Sequence, residues 1–122
     1  MKKDTTIQIG VVGIGHLGNF HLKQLKGIPH FTIAGLFDSD PIRAMEMSKR
    51  YDVESFSSVK DLLQKAEAIS IVTPTPYHYE MGNLALEAGC HLFIEKPITD
   101  NIEHASLLLN KAEKLNKIIQ VG

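Results

Sequence analysis

The 122-residue sequence has no tryptophan, a single cysteine and almost no net charge. One cysteine, Cys90, excludes an internal disulfide and is compatible with a reducing compartment. It lies between Gly89, which ends a helical pattern, and a strand-like run, so it reads as a small buried residue rather than a reactive thiol. Thirteen basic against 14 acidic residues give a formal charge of −1 with no basic cluster, which argues against a nucleic-acid partner. No apolar run approaches the roughly 20 residues of a membrane span. Met1-Lys2-Lys3 leads into polar Asp4-Thr5-Thr6 rather than a secretory apolar core. The expectation is a soluble, cytoplasmic protein with no membrane partner. Chemistry is narrowed in the same way. The histidines His16, His21, His30, His78, His91 and His104 show no metal-ligand spacing, so no metal is expected. No Lys-Ser/Thr pair follows a glycine-rich loop and no GxSxG is present, which removes the main support for kinase, NTPase and hydrolase readings.

What is there alternates. Apolar strand runs are read at Ile7 to Val12, Thr32 to Phe37, Ala68 to Val72, His91 to Ile94 and Ile118 to Val121, with a short one near Ser55-Phe56. Several are continuous rather than alternating, as in parallel strands covered on both faces. Helical patterns fill the gaps. The first runs from about Gly15 to Lys26 with Leu17, Phe20 and Leu25 inward, and the second opens at Asp40-Pro41. A short third is capped by Ser57 or Ser58, and the fourth, from about His78 to Ala88, turns Met81, Leu84, Ala85 and Ala88 to one side. The fifth opens on Asp100 with Glu103 and carries a stripe of Ile102, Ala105, Leu108, Leu109, Ala112 and Leu115. Six strands joined by five helices predict a doubly wound α/β domain, strand order 3-2-1-4-5-6, filling residues 1–122. Its ligand crevice should lie between strands 1 and 4 at their carboxyl ends.

Gly13-Ile14-Gly15-His16-Leu17-Gly18 follows the first strand directly and opens the first helix, and Asp38 ends the second strand 20 residues past Gly18. This is a dinucleotide-binding fingerprint in its proper context, the signature of a Rossmann fold. Gly13 permits the tight turn, Gly15 lets backbone approach a pyrophosphate, and Gly18 lets helix pack on strand. The phosphates meet free N–H groups and the positive end of a helix. Asp38 can accept hydrogen bonds from both hydroxyls of an adenosine ribose and would repel a 2′-phosphate, so NAD is favoured over NADP. Asp40 is the better helix cap; Arg43, in the first turn of that helix, can reach toward a phosphate, which counts slightly against the NAD preference, but it reads first as a solvated helix residue.

The loops that follow the later strands share that rim. After the fourth comes Thr73-Pro74-Thr75-Pro76-Tyr77-His78, in which the prolines stiffen the loop and the Thr73 hydroxyl can meet a cofactor. His78, at a helix start, is read either as a catalytic residue or as a structural one bonded to nearby backbone. After the fifth comes Glu95-Lys96-Pro97. Charges at the end of a buried strand are costly unless paired or used. Lys96 can therefore serve as a donor or acid-base group, or the segment is a solvated surface turn; spacing does not decide between them.

These motifs in this order, the glycine loop, Thr73-Pro74 with His78, and Glu95-Lys96-Pro97, resemble the amino-terminal domain of the Gfo/Idh/MocA oxidoreductases, named for glucose-fructose oxidoreductase and inositol dehydrogenase. The glycine loop with His21 looks most like members acting on sugars or sugar nucleotides. The resemblance implies hydride transfer between a nicotinamide cofactor and a hydroxyl or carbonyl of a sugar, sugar nucleotide or cyclitol. It implies that Lys96 sits by the nicotinamide ribose and the substrate as the catalytic residue, and that Pro97 follows a cis peptide bond. Thr73, Pro74, His78, Glu95, Lys96 and Pro97 join the glycine loop and Asp38 as candidate cofactor-binding residues. It also implies a carboxyl-terminal substrate domain, absent from this chain, that carries much of a homo-oligomer interface. The chain is thus expected to bind a nicotinamide dinucleotide and to be inactive alone. The alternatives are a free-standing nucleotide-binding or sensing module without catalysis, and a biliverdin-reductase-like or dihydrodiol-dehydrogenase-like member of the same family.

Overall fold

A computed structural model describes residues 6–13 and 15–122, with only the backbone described at His16 and Leu17. Five strands form one parallel sheet: β1 (Ile7–Val12), β2 (Phe31–Phe37), β3 (Ala68–Ile71), β4 (His91–Ile94) and β5 (Ile119–Val121), in the order β2-β1-β3-β4-β5. The helices are α1 (His16–Lys26), α2 (Pro41–Tyr51), α3 (Val59–Lys65), α4 (His78–Glu87) and α5 (Ile102–Leu115), with a 3-10 turn at Thr75–Tyr77 before α4. The strand expected near Ser55-Phe56 is reduced to one parallel bridge, Leu36 with Ser55, on the far side of β2. Glu54 O accepts from Leu36 N and Phe56 N donates to Leu36 O, both at 2.9 Å, and then the chain turns into α3 at Val59. Too few residues remain between Asp52 and that helix for a longer ladder. Counted as an edge, the bridge completes the expected order.

The chain steps one way from β1 to β2 and the other way from β3 through β4 to β5. Crossovers of one hand then place helices on opposite faces. Two cores result. Leu22 of α1 with Ala44 and Met47 of α2 pack on Val11, Leu36 and Val72. Leu62, Leu63, Ala85, Leu86, Leu108 and Ala112, from α3, α4 and α5, pack on Val12, Ile69, Ile71, Leu92 and Ile94. Each fully buried Leu or Ile contributes about 1.5–3 kcal/mol, so neither layer is dispensable.

Three helix faces differ from expectation. In α1, among the described side chains, Leu22 is fully buried and Leu25 packs at the edge of the core as expected, whereas Phe20 is 53% exposed. Phe20 lines a groove of about 640 Å³ between α1 and one face of β3, β4 and β5. In α4, Ala88 is exposed, while Met81 and Leu84 pack at the edge of the core. In α5 only Leu108 and Ala112 are buried; Ile102, Leu109 and Leu115 face outward, because the helix meets α4 along a narrow strip. Its cap is Asn101 rather than Asp100, with the Asn101 side chain accepting from His104 N at 2.8 Å. Asp40 caps α2 as expected, accepting from Ile42 N and Arg43 N. Cys90 is buried, its thiol directed at the carbonyls of Leu63 and Ala66, and burial pushes that thiol up from its ordinary pKa despite the charge of Lys117. Among the described residues no helix is long and apolar enough to cross a membrane, and no group of three His, Cys, Asp or Glu residues could hold a metal.

Candidate functional site

The carboxyl ends of β2, β1, β3 and β4 form one rim. At its centre Gly13 has φ +95°, a conformation that L side chains rarely adopt, and its N–H donates to Phe37 O at 2.9 Å. A Cβ there would lie 2.8 Å from Thr73 N. At Gly18 a Cβ would collide with the Gly13 carbonyl oxygen, so α1 can lie this close to β1 only without one. Gly15 is different: a Cβ there would meet nothing within 4 Å. Space opens above the N-cap of α1, where no side chain among the described residues caps the helix and the first turn holds no acidic residue. The first N–H groups of a helix have no intrahelical partner and suit a phosphate. Ile14 and the side chains of His16 and Leu17 lie outside the described residues.

Beside this turn, after β2, stands Asp38. Its carboxylate accepts from Asp40 N at 2.8 Å, and Arg43 lies 3.8 Å from it and 3.9 Å from Asp40. The Asp38 side chain is only 8% exposed, whereas Arg43 is 48% exposed, a loose pair of the kind that contributes little. On the other side of the turn, Thr73 holds its hydroxyl oxygen shielded from solvent with no hydrogen-bond partner among the described residues. A shielded hydroxyl without a partner costs about 1–3 kcal/mol. A polar ligand group arriving on the rim would remove that cost, which fits a cofactor.

After β4, the Glu95-Lys96-Pro97 turn is fastened at several points. Lys96 N donates to Gly122 O at 3.0 Å, the Lys96-Pro97 peptide bond is cis, and Glu95 Oε2 lies 2.8 Å from His21 Nε2. Glu95 is therefore the paired charge of the two that the sequence singled out. Lys96 is exposed, and no bond from its ammonium is found among the described residues. His78 is 1% exposed, with Nε2 2.9 Å from Thr73 O and Nδ1 3.0 Å from Pro97 O. Of its two readings the structural one holds: it braces backbone and has no surface to offer a reactant. Pro74 is exposed at the start of the 3-10 turn. His21 and its second partner, Ser70, were not among the expected site residues. The available signal was position, since His21 follows Gly18 by three residues and so shares its sheet-facing side.

The Gfo/Idh/MocA family model, described as an oxidoreductase family with an NAD-binding Rossmann fold, matches residues 7–122. The chain belongs to this family. It is 38% identical over 116 residues to UDP-N-acetylglucosamine 3-dehydrogenase of Acidithiobacillus ferrooxidans, covering 95% of this chain and 36% of that protein. Over 120 residues it is 31% identical to scyllo-inositol 2-dehydrogenase (NAD(+)) of Bacillus subtilis, covering 95% of this chain and 35% of that one. Among solved structures, the Acidithiobacillus enzyme superposes with a TM-score of 0.92 over 96% of this chain and 38% of its own. Scyllo-inositol dehydrogenase of Lactobacillus casei with bound NAD(H) and scyllo-inositol is 32% identical and gives 0.88, over 96% of this chain and 36% of its own. The chain spans about a third of the length of the curated relatives it matches. It has that family's NAD-binding Rossmann fold, and the open turn at Gly15, the Thr73 hydroxyl that lacks a partner among the described residues, and Asp38 lie on one rim that such a cofactor would span.

Proposed function

We propose that the whole protein is an NAD-dependent dehydrogenase acting on a hydroxyl of a sugar nucleotide, sugar or cyclitol, and that this chain supplies its cofactor site. NAD, when bound, supplies the two-electron carrier. The observation that carries the reading is the open space at Gly15 over a helix N-terminus that, among the described residues, has no side-chain cap, flanked by Asp38 and by the Thr73 hydroxyl, which likewise has no partner among them. In this reading the loop from Gly13 to Gly18, with Ile14, His16 and Leu17, receives the pyrophosphate through backbone N–H groups. Asp38 accepts from the adenosine ribose and disfavours NADP. Thr73 and Pro74 line the far side, with His78 and Pro97 holding that wall in place. Lys96 is the catalytic residue, donating to or exchanging a proton with the substrate oxygen, and Glu95 fixes the turn it stands on.

The substrate pocket belongs to a second domain of the whole protein, so residues 1–122 bind cofactor without turnover. The similarity to UDP-N-acetylglucosamine 3-dehydrogenase and to scyllo-inositol 2-dehydrogenase supports this substrate range. A cytoplasmic homo-oligomer with no nucleic-acid or membrane partner completes the proposal. The test is reduction of NAD by the full-length protein with UDP-N-acetylglucosamine, glucose 6-phosphate and the inositols, followed by nicotinamide absorbance. Reduction with one of them supports the assignment. Tight NADH binding without reduction by any would overturn the substrate class and leave the cofactor site standing.

A further inference from the structure

His21 joins three elements that are distant in sequence. From α1 its Nδ1 lies 2.9 Å from Ser70 Oγ on β3, and its Nε2 lies 2.8 Å from Glu95 Oε2 at the end of β4. The Phe93 ring packs against it with centroids 5.5 Å apart. The donors and acceptors fit without a remainder. An ionised Glu95 can only accept, so Nε2 carries a proton and donates to it; Nδ1 then accepts from the Ser70 hydroxyl. Should Nδ1 also be protonated, the hydroxyl rotates to accept instead. Ser70 is 2% exposed, and the His21 and Glu95 side chains are 14% and 23% exposed, so water competes weakly for these bonds.

The sheet order gives this bridge a direction. Asp38 follows β2, the glycine turn follows β1, Thr73 follows β3 and Lys96 follows β4, along the order β2-β1-β3-β4. A dinucleotide with its pyrophosphate on α1 and its adenosine toward Asp38 must extend its nicotinamide half toward Thr73 and Lys96. We propose that His21 is a positioning residue for that half: through Glu95 it fixes the Lys96 turn relative to α1, the helix that seats the pyrophosphate. The proposal rests on the NAD-binding reading above. His21 touches neither pyrophosphate nor adenosine in this arrangement, so its loss should separate ligands that carry a nicotinamide from those that do not.

The experiment compares NADH with ADP-ribose, which lacks the nicotinamide, in calorimetric titrations of the 122-residue chain. Asparagine at position 21 can reach Ser70 but falls short of Glu95, whereas glutamine places its amide N–H where Nε2 stands. His21→Asn and His21→Ala should weaken NADH by about tenfold or more while ADP-ribose stays within about threefold; His21→Gln should stay within about threefold for both. Equal weakening of both ligands, asparagine matching wild type, or glutamine failing like asparagine would each overturn the proposal. So would loss of folding in both the Asn and Gln variants, which would make the bridge a requirement of the fold instead.

A readout without cofactor keeps the two readings distinct. Amide exchange at Lys96, bonded to Gly122 O, should rise about tenfold in His21→Asn relative to that at Val72, bonded to Val12 O. If wild type binds neither ligand, the NAD-binding reading fails whatever the exchange shows. If wild type binds both and neither the affinity ratio nor Lys96 exchange moves, the positioning role fails and the cofactor site stands.

Discussion

The imidazole of His78 bridges the two loops on the far side of the cofactor rim, with the Thr73 carbonyl oxygen 2.9 Å from Nε2 and the Pro97 carbonyl oxygen 3.0 Å from Nδ1. Both neighbours are acceptors and a neutral imidazole carries one N–H, so the ring donates to one carbonyl and packs against the other, and the loops hold their spacing through it. His78→Ala would leave one of these carbonyls short of its donor and open a void where a 1% exposed side chain stood. The expected loss of unfolding free energy is about 2–4 kcal/mol, measured by denaturant titration. A change below about 0.5 kcal/mol, the scale of an ordinary surface substitution, would contradict the bracing role.

Gly15 and Gly18 should respond oppositely to the same substitution. A Cβ at Gly15 meets nothing within 4 Å, so Gly15→Val should fold with a wild-type circular dichroism spectrum and lose NADH binding as the side chain fills the phosphate space. At Gly18 a Cβ meets the Gly13 carbonyl oxygen, so Gly18→Val should fail to fold. A Gly15→Val chain that still binds NADH would mean that the open space is not the pyrophosphate site.

Lys96→Ala should leave the fold and NADH affinity of the chain nearly intact, because the side chain is exposed and bonds nothing among the described residues. In the full-length protein the same change should lower turnover by about 10²- to 10⁴-fold, the usual contribution of a positioned acid-base group. Unchanged turnover would return Lys96 to a surface turn.

Cys90 has its thiol pKa raised by burial. The unfolded chain therefore releases this proton at a lower pH than the folded one, and the thiol's contribution to stability is full below the unfolded pKa and lost as pH rises through the folded one. Alkylation of the native protein at pH 8 should be slow and should accelerate on unfolding. Rapid native labelling would show that the burial is incomplete.

Much of the fold was legible because parallel strands covered on both faces write continuous apolar runs, and because Asp40-Pro41 and Gly89 punctuate helices by local chemistry. The helix faces were less so. An apolar arc on α1 or α5 shows that a side is buried but not which flank lies under a neighbour: Leu22 went inward and Phe20 did not, and Leu108 was covered while Leu109, one position on, was not. The glycine turn was readable because Gly13, Gly15 and Gly18 each answer a constraint within one turn of chain. The His21 bridge was not, because its partners Ser70 and Glu95 lie 49 and 74 residues away and no local pattern links them.

NAD is proposed to lie along this rim, with Asp38 reading the adenosine ribose. The most direct measurement is a pair of calorimetric titrations of the chain, NADH against NADPH, repeated with Asp38→Ala. Saturable NADH binding at least about tenfold tighter than NADPH is expected, a preference of about 1.4 kcal/mol that the alanine variant loses through weaker NADH binding. No binding, equal or reversed preference, or NADH affinity unchanged within about twofold in Asp38→Ala would contradict it.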